Sequence, residues 1–156
     1  MHPFVIRAAT AQDSAAILTC LGQAFEPYRA QYTPDAFADT VLSHGTIHQR
    51  LQAMCVYVAD AGGHVIGTVG YEMATPEEGH IRGMAMLPEY AGKGVAAALL
   101  GYVEDAAKAA GAKRVTLDTT RVLLPARRFY EKHGFRATGV VGDFFGMELH
   151  EFAKEL

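Results

Sequence analysis

Residues 80–110 constrain the fold more than any other stretch of this chain. A short apolar strand, a proline turn, two glycines and a long alanine-rich helical pattern follow one another there. The strand reads Ile81-Arg82-Gly83-Met84-Ala85-Met86, the turn Leu87-Pro88-Glu89-Tyr90-Ala91, and the glycine pair Gly92-Lys93-Gly94. This order builds an anion site. The strand aims the chain, the glycines let bare backbone approach a ligand, and the unpaired N–H groups that open the helix add the positive end of its dipole. Val95, Leu99, Tyr102, Val103, Ala106 and Ala110 keep helical spacing, and Gly111 provides a C-terminal stop. The same residues also suit an ordinary loop between a strand and a helix.

At 156 residues the chain has the size of one domain, 1–156, with its own core. Its 14 basic and 17 acidic residues leave a net charge of -3. Neither a nucleic-acid footprint nor a polybasic membrane patch is present, so a small partner is expected. Cys20 and Cys55 show neither metal-ligand nor disulfide spacing, and the N-terminus lacks the apolar core of a signal peptide. No apolar run approaches a membrane span of roughly 20 residues. A cytoplasmic protein without a metal is the expectation.

Phe4-Val5-Ile6-Arg7 reads as a first strand, and Thr10 with Asp13 as a capping box before a helix that buries Ile17, Leu18, Leu21 and Phe25. Pro34 opens a second helix carrying Phe37, Val41 and Leu42. Between them lies a loop bearing Tyr28, Arg29 and Tyr32, which either grips a substrate or covers a surface. Residues 54–59, 65–73 and the strand from His80 form an antiparallel meander, turning at residues 60–63 and 75–79. A helical crossover makes residues 114–118 a parallel strand. A short helix follows at 125–132, then a hairpin with its turn at Gly142-Asp143. The prediction is an α/β chain with a mixed sheet of about seven strands and four helices, covered on both faces.

Three anionic ligands suit a strand, glycine loop and helix. The Gly-x-x-x-x-Gly-Lys-Ser/Thr string of a nucleoside triphosphate site does not occur. Gly92-x-Gly94-x-x-Ala97 matches a loose dinucleotide fingerprint, with Asp118 ending the next strand. Against that reading, residues 87–91 separate strand from glycines, and the upstream meander leaves too few parallel strands for a doubly wound sheet.

The third ligand is the pyrophosphate of coenzyme A. Residues 84–96 resemble motif A of the GCN5-related N-acetyltransferases, Gln/Arg-x-x-Gly-x-Gly/Ala after a strand ending near a proline. Residues 126–135, with Ala126, Tyr130 and Gly134-Phe135, resemble motif B. The element order fits from Phe4 to Leu149, nearly the whole chain. Ala91 stands where the family has Gln or Arg, and Leu123 where motif B often has Asn.

The resemblance implies acetyl-CoA as co-substrate, held along the pantetheine by Met84, Ala85 and Met86 and at the pyrophosphate by Ala91, Gly92, Lys93, Gly94, Val95 and Ala96. Tyr130 takes the place of the acid that protonates the departing thiolate. Gly83 permits a bulge that frees an N–H for the developing oxyanion. His80 is the first candidate for the base, since its ordinary pKa of about 6.5 suits the task; Glu78 and Glu72 are the alternatives. Asp118 and Thr119 either contact substrate or cap their loop. The expected function is direct acetyl transfer to a primary amine of a small molecule or peptide, with a homodimer suggested by the family. The rival is a non-catalytic acyl-CoA-binding or sensor domain of the same fold.

Overall fold

The computed structural model of the chain describes residues 3–156. Seven strands form one sheet: β1 (Val5–Ala8), β2 (Cys55–Ala61), β3 (His64–Thr75), β4 (Glu78–Met86), β5 (Arg114–Thr120), β6 (Arg136–Phe144) and β7 (Met147–Glu155). Their order is β1-β2-β3-β4-β5-β7-β6, and only β4 and β5 run parallel. Among the described residues, five α-helices accompany them: α1 (Ser14–Phe25), α2 (Pro34–Thr40), α3 (His44–Ala53), α4 (Val95–Ala109) and α5 (Leu124–Lys132).

The mixed sheet agrees with the sequence reading, and both faces are covered at its centre, whereas the edge strand β6 is exposed. Val65 to Tyr71 of β3 are continuously buried. Gly67 meets Val95 and Leu99 of α4, and the Tyr71 hydroxyl donates to the Ala106 carbonyl, so the odd residues face α4. Strand alternation leaves the even ones to the layer of α1 and α3, and α1 packs on β3 and β4. On α4, Val95, Leu99, Val103 and Ala107 are 0% exposed and recur every four residues, a stripe that one helix face buries against a sheet. Burying each larger side chain contributes about 1.5–3 kcal/mol.

Two local readings are corrected. The expected second helix is two helices, so the total is five rather than four. Val41 turns extended (φ -99, ψ 99) and Ser43 accepts from the Thr46 N–H to start α3. Only Ile47 of α3 is fully buried, which explains its weak sequence signal. The last hairpin turns at Phe145-Gly146, not Gly142-Asp143. Both turn residues have positive φ (50 and 89), a conformation that matches the strand twist, and the Gly146 N–H donates to Asp143. By contrast, the turn after β2 lies where the sequence placed it: Gly62 and Gly63 have positive φ, and the Gly63 N–H donates to Asp60 Oδ1 at 2.7 Å.

Candidate active site

The site begins with an unfinished ladder. β4 and β5 pair only at Glu78–Arg114, Gly79–Val115 and His80–Thr116. Beyond that rung the strands part, β4 running on to Met86 and β5 to Thr120, and a cleft of about 1100 Å³ opens between them.

On its other edge β4 carries a bulge. Thr68 pairs with Ala85 and Gly70 with Arg82, so the single residue Val69 opposes both Gly83 and Met84. Gly83 has φ 72, a left-handed conformation that a side chain would strain. The bulge takes one residue out of the ladder beside the cleft.

Past Met86 the chain makes a short 3-10 turn over Pro88–Tyr90 and reaches the glycine pair. Gly92 (φ 74) and Gly94 (φ 83) are both left-handed, and a Cβ on either would meet nothing within 4 Å. Their freedom therefore serves the backbone conformation and an open approach rather than close packing. The first helical bond here is Ala98 N–H to the Gly94 carbonyl, so the preceding N–H groups at the start of α4 have no helical partner. Open space, bare glycines and unpaired donors suit a pyrophosphate.

The model of the acetyltransferase (GNAT) family matches residues 17–135. The chain belongs to this family. The probable N-acetyltransferase family 8 member 5 of Mus musculus is 32% identical over 123 residues, covering 76% of this chain and 52% of that relative. The chain spans between about a third and about a half of the length of the curated relatives it matches. Among solved structures, the PaiA N-acetyltransferase from Thermoplasma acidophilum in complex with coenzyme A has a TM-score of 0.83 at 18% identity, covering 99% of each chain. A GNAT family acetyltransferase from Elizabethkingia anophelis with acetyl-CoA bound has a TM-score of 0.72 at 22% identity, covering 98% of each. At these identities the likeness is one of fold.

Within this GNAT fold, Met84, Ala85, Met86, Ala91, Gly92, Gly94, Val95 and Ala96 all line the cleft. Lys93 does not; its ammonium lies 5.7 Å from the centre of the Tyr90 ring. Leu123 precedes α5 without capping it and packs with Tyr32 and Phe37, so an apolar contact holds the loop where the family often has Asn. Tyr130 lies on α5 with its ring edge-on to Phe129 and Phe135, at 5.4 and 5.7 Å. It lines the cleft at 7% exposure, and burial pushes its phenol well above the ordinary value. The hydroxyl makes no hydrogen bond among the described residues.

His80 sits at the fork itself. Its Nδ1 lies 2.8 Å from Thr116 Oγ1 and its Nε2 3.4 Å from Asp118 Oδ2. Burial lifts the Asp118 carboxyl above its ordinary range, opposed by His80, reinforced by Glu151 and opposed by Arg82. A lifted carboxylate accepts a proton more readily. Thr119 and Asp118 line the cleft, as do Tyr28 and Tyr32, whose hydroxyl lies 3.1 Å from Thr120 Oγ1.

Besides Lys93, three candidates stand elsewhere. Glu78 is engaged by Arg114 Nε at 3.0 Å, before the strands part. Glu72 faces His80 across the β3–β4 ladder but stays exposed outside the cleft. Arg29 is paired with Glu26 at 2.9 Å and lies over the Phe37 ring, outside the cleft lining. The cleft also contains residues that the sequence did not single out: Asp39 of α2, ion-paired with Arg82, and Arg50 of α3. A polar helix shows no periodic signal for such a residue.

Proposed function

We propose that this chain is an acetyl-CoA-dependent N-acetyltransferase of a single domain, acting in the cytoplasm on a primary amine. The observation that carries the reading is the parting of β4 from β5 at His80–Thr116, with a glycine-lined helix start along one wall and Tyr130 in the other. The free thiols Cys20 and Cys55 suit a reducing compartment.

Acetyl-CoA fits with its pyrophosphate over the Gly92 to Ala96 backbone and its pantetheine along Met84, Ala85 and Met86. The N–H released by the Gly83 bulge then faces the thioester carbonyl. The amine loses its proton to the His80–Asp118 pair and attacks that carbonyl. The new C–N bond forms, the C–S bond breaks as the Tyr130 hydroxyl delivers a proton to the sulfur, and the second proton released by the new amide nitrogen returns to the Tyr130 oxygen. A phenol held above its ordinary pKa of about 10 stays protonated at neutral pH and is available as that donor.

Thiol release from acetyl-CoA, followed across a panel of amines, tests the reading. Release that requires an amine supports it. Binding of acetyl-CoA without amine-dependent release would instead favour a non-catalytic acyl-CoA sensor.

A further inference from the structure

Among the described residues, Arg50 is a cation of the cleft that the protein does not neutralise. Arg50 projects from α3 onto the bulge of β4, and a Cβ on Gly83 would lie 2.7 Å from its Nη1. The absence of a side chain at Gly83 therefore makes room for the guanidinium. Arg50 lines the cleft, is half-buried, and has no hydrogen bond or ion pair among the described residues. The acid near it, Asp39, is engaged by Arg82, and Asp118, which also lines the cleft, lies at the His80 ring. Burial, reinforced by Arg82 and opposed by Asp39, pushes the Arg50 guanidinium down to about 10.

A half-buried guanidinium without a partner is costly, and that cost is recovered when an anion supplies the missing bonds. Its planar fork matches a carboxylate with two parallel N–H···O bonds. The position selects which anion that is. Arg50 rests at Gly83, where the reacting carbonyl belongs, whereas the pyrophosphate cradle begins nine residues further on. His80 lies only three residues back along β4, a rise of about 10 Å at most. An amine near His80–Asp118 and an anion on Arg50 lie within the span of one small molecule.

We infer that Arg50 binds the carboxylate of the acceptor, and that the acceptor is a free amino acid or a close analogue, not a polyamine or an internal protein amine. This rests on the acetyl-transfer reading above.

Thiol release is measured with amino acids, their carboxamides and their decarboxylated amines, using wild-type protein, Arg50→Ala and Arg50→Lys. Wild type is expected to prefer at least one acid over both of its neutralised counterparts. Arg50→Ala should raise the KM for that acid by about tenfold to a hundredfold, the scale of a lost charge-assisted pair. The loss should be larger for the acid than for its carboxamide, affinity for acetyl-CoA should stay close to that of wild type, and Arg50→Lys should restore part of the loss as a point charge. Equal use of acids and decarboxylated amines overturns the inference, as does an equal loss for both in Arg50→Ala. Calorimetric titration of the acids into the coenzyme A complex reads the contact without turnover. An acid bound through Arg50 but not acetylated supports the carboxylate site and overturns the transferase reading. No acid bound in either assay overturns the carboxylate site.

Discussion

His80 and Thr116 form the last rung between β4 and β5, and their side chains close it with a 2.8 Å contact between Nδ1 and Oγ1. The contact orients the ring as the strands diverge and leaves Nε2 beside Asp118. One residue thus marks the end of the parallel pairing and the start of the cleft.

Tyr130→Phe removes a hydroxyl with no hydrogen bond among the described residues and keeps the ring against Phe129 and Phe135. Stability and acetyl-CoA affinity should change little, while turnover falls by roughly a hundred- to ten-thousandfold if proton delivery is slow. Steady-state kinetics with calorimetry separates these effects; full turnover removes Tyr130 from the mechanism.

Asp118→Asn should separate stability from activity. The folded pKa of Asp118 is raised by burial above the unfolded value of about 3.9. Its favourable contribution is therefore present below that value and lost as pH rises through the raised pKa, which makes the carboxylate a net cost at neutral pH. The variant should melt no lower than wild type at pH 7 and turn over amines more slowly. A fall in stability at pH 7 contradicts the desolvation argument.

Gly94→Glu places a carboxylate in the open space at the start of α4 and forces a side chain into φ 83. The backbone strain costs about 1–2 kcal/mol. Thermal stabilisation by acetyl-CoA should disappear while the protein still folds. Retained stabilisation would move the phosphate site elsewhere.

Ala91 is exposed, lines the cleft and replaces the polar residue of the motif. Ala91→Arg is expected to tighten coenzyme A by up to about 1–2 kcal/mol, within the range of charge-assisted contacts. Calorimetry decides; no gain in a folded variant means that the side chain does not reach the phosphates.

A structural carboxylate behaves oppositely to Asp118. Arg7 makes paired bonds to Asp13 at 2.8 and 2.9 Å and holds its carboxyl down to about 2. The stabilisation is fully present above the unfolded value of about 3.9 and lost as pH falls through about 2. Asp13→Asn should cost up to about 2 kcal/mol at neutral pH, since one pKa unit corresponds to about 1.4 kcal/mol. The gap between the denaturant midpoints of the two proteins should narrow below about pH 4 and close only below about pH 2, and a gap independent of pH would refute the assignment.

Local chemistry made the strand-glycine-helix unit of residues 80–110 legible in the sequence. Left-handed glycines need no distant partner, and the stripe Val95, Leu99, Val103 states its own period. The meander and the parallel crossover followed from turn residues and element lengths. The second helix boundary was harder to read, because the extended backbone at Val41 interrupts a pattern that continues in Leu42, and because α3 buries little.

Nonlocal geometry determined the rest. His80 is the first candidate for the base and Glu78, two residues away, an alternative, yet Arg114 engages Glu78 while the parting strands bring His80 to Asp118. Arg50 acquires its position only because α3 packs where the Gly83 bulge leaves space, a relationship between residues 33 positions apart. Conformational preferences act over a few neighbouring residues, so the sequence determined by itself the cradle, the helix behind it and the order of the elements. Which charges are neutralised and which remain to meet a ligand depends on distances across the folded sheet, and only the tertiary structure decided that.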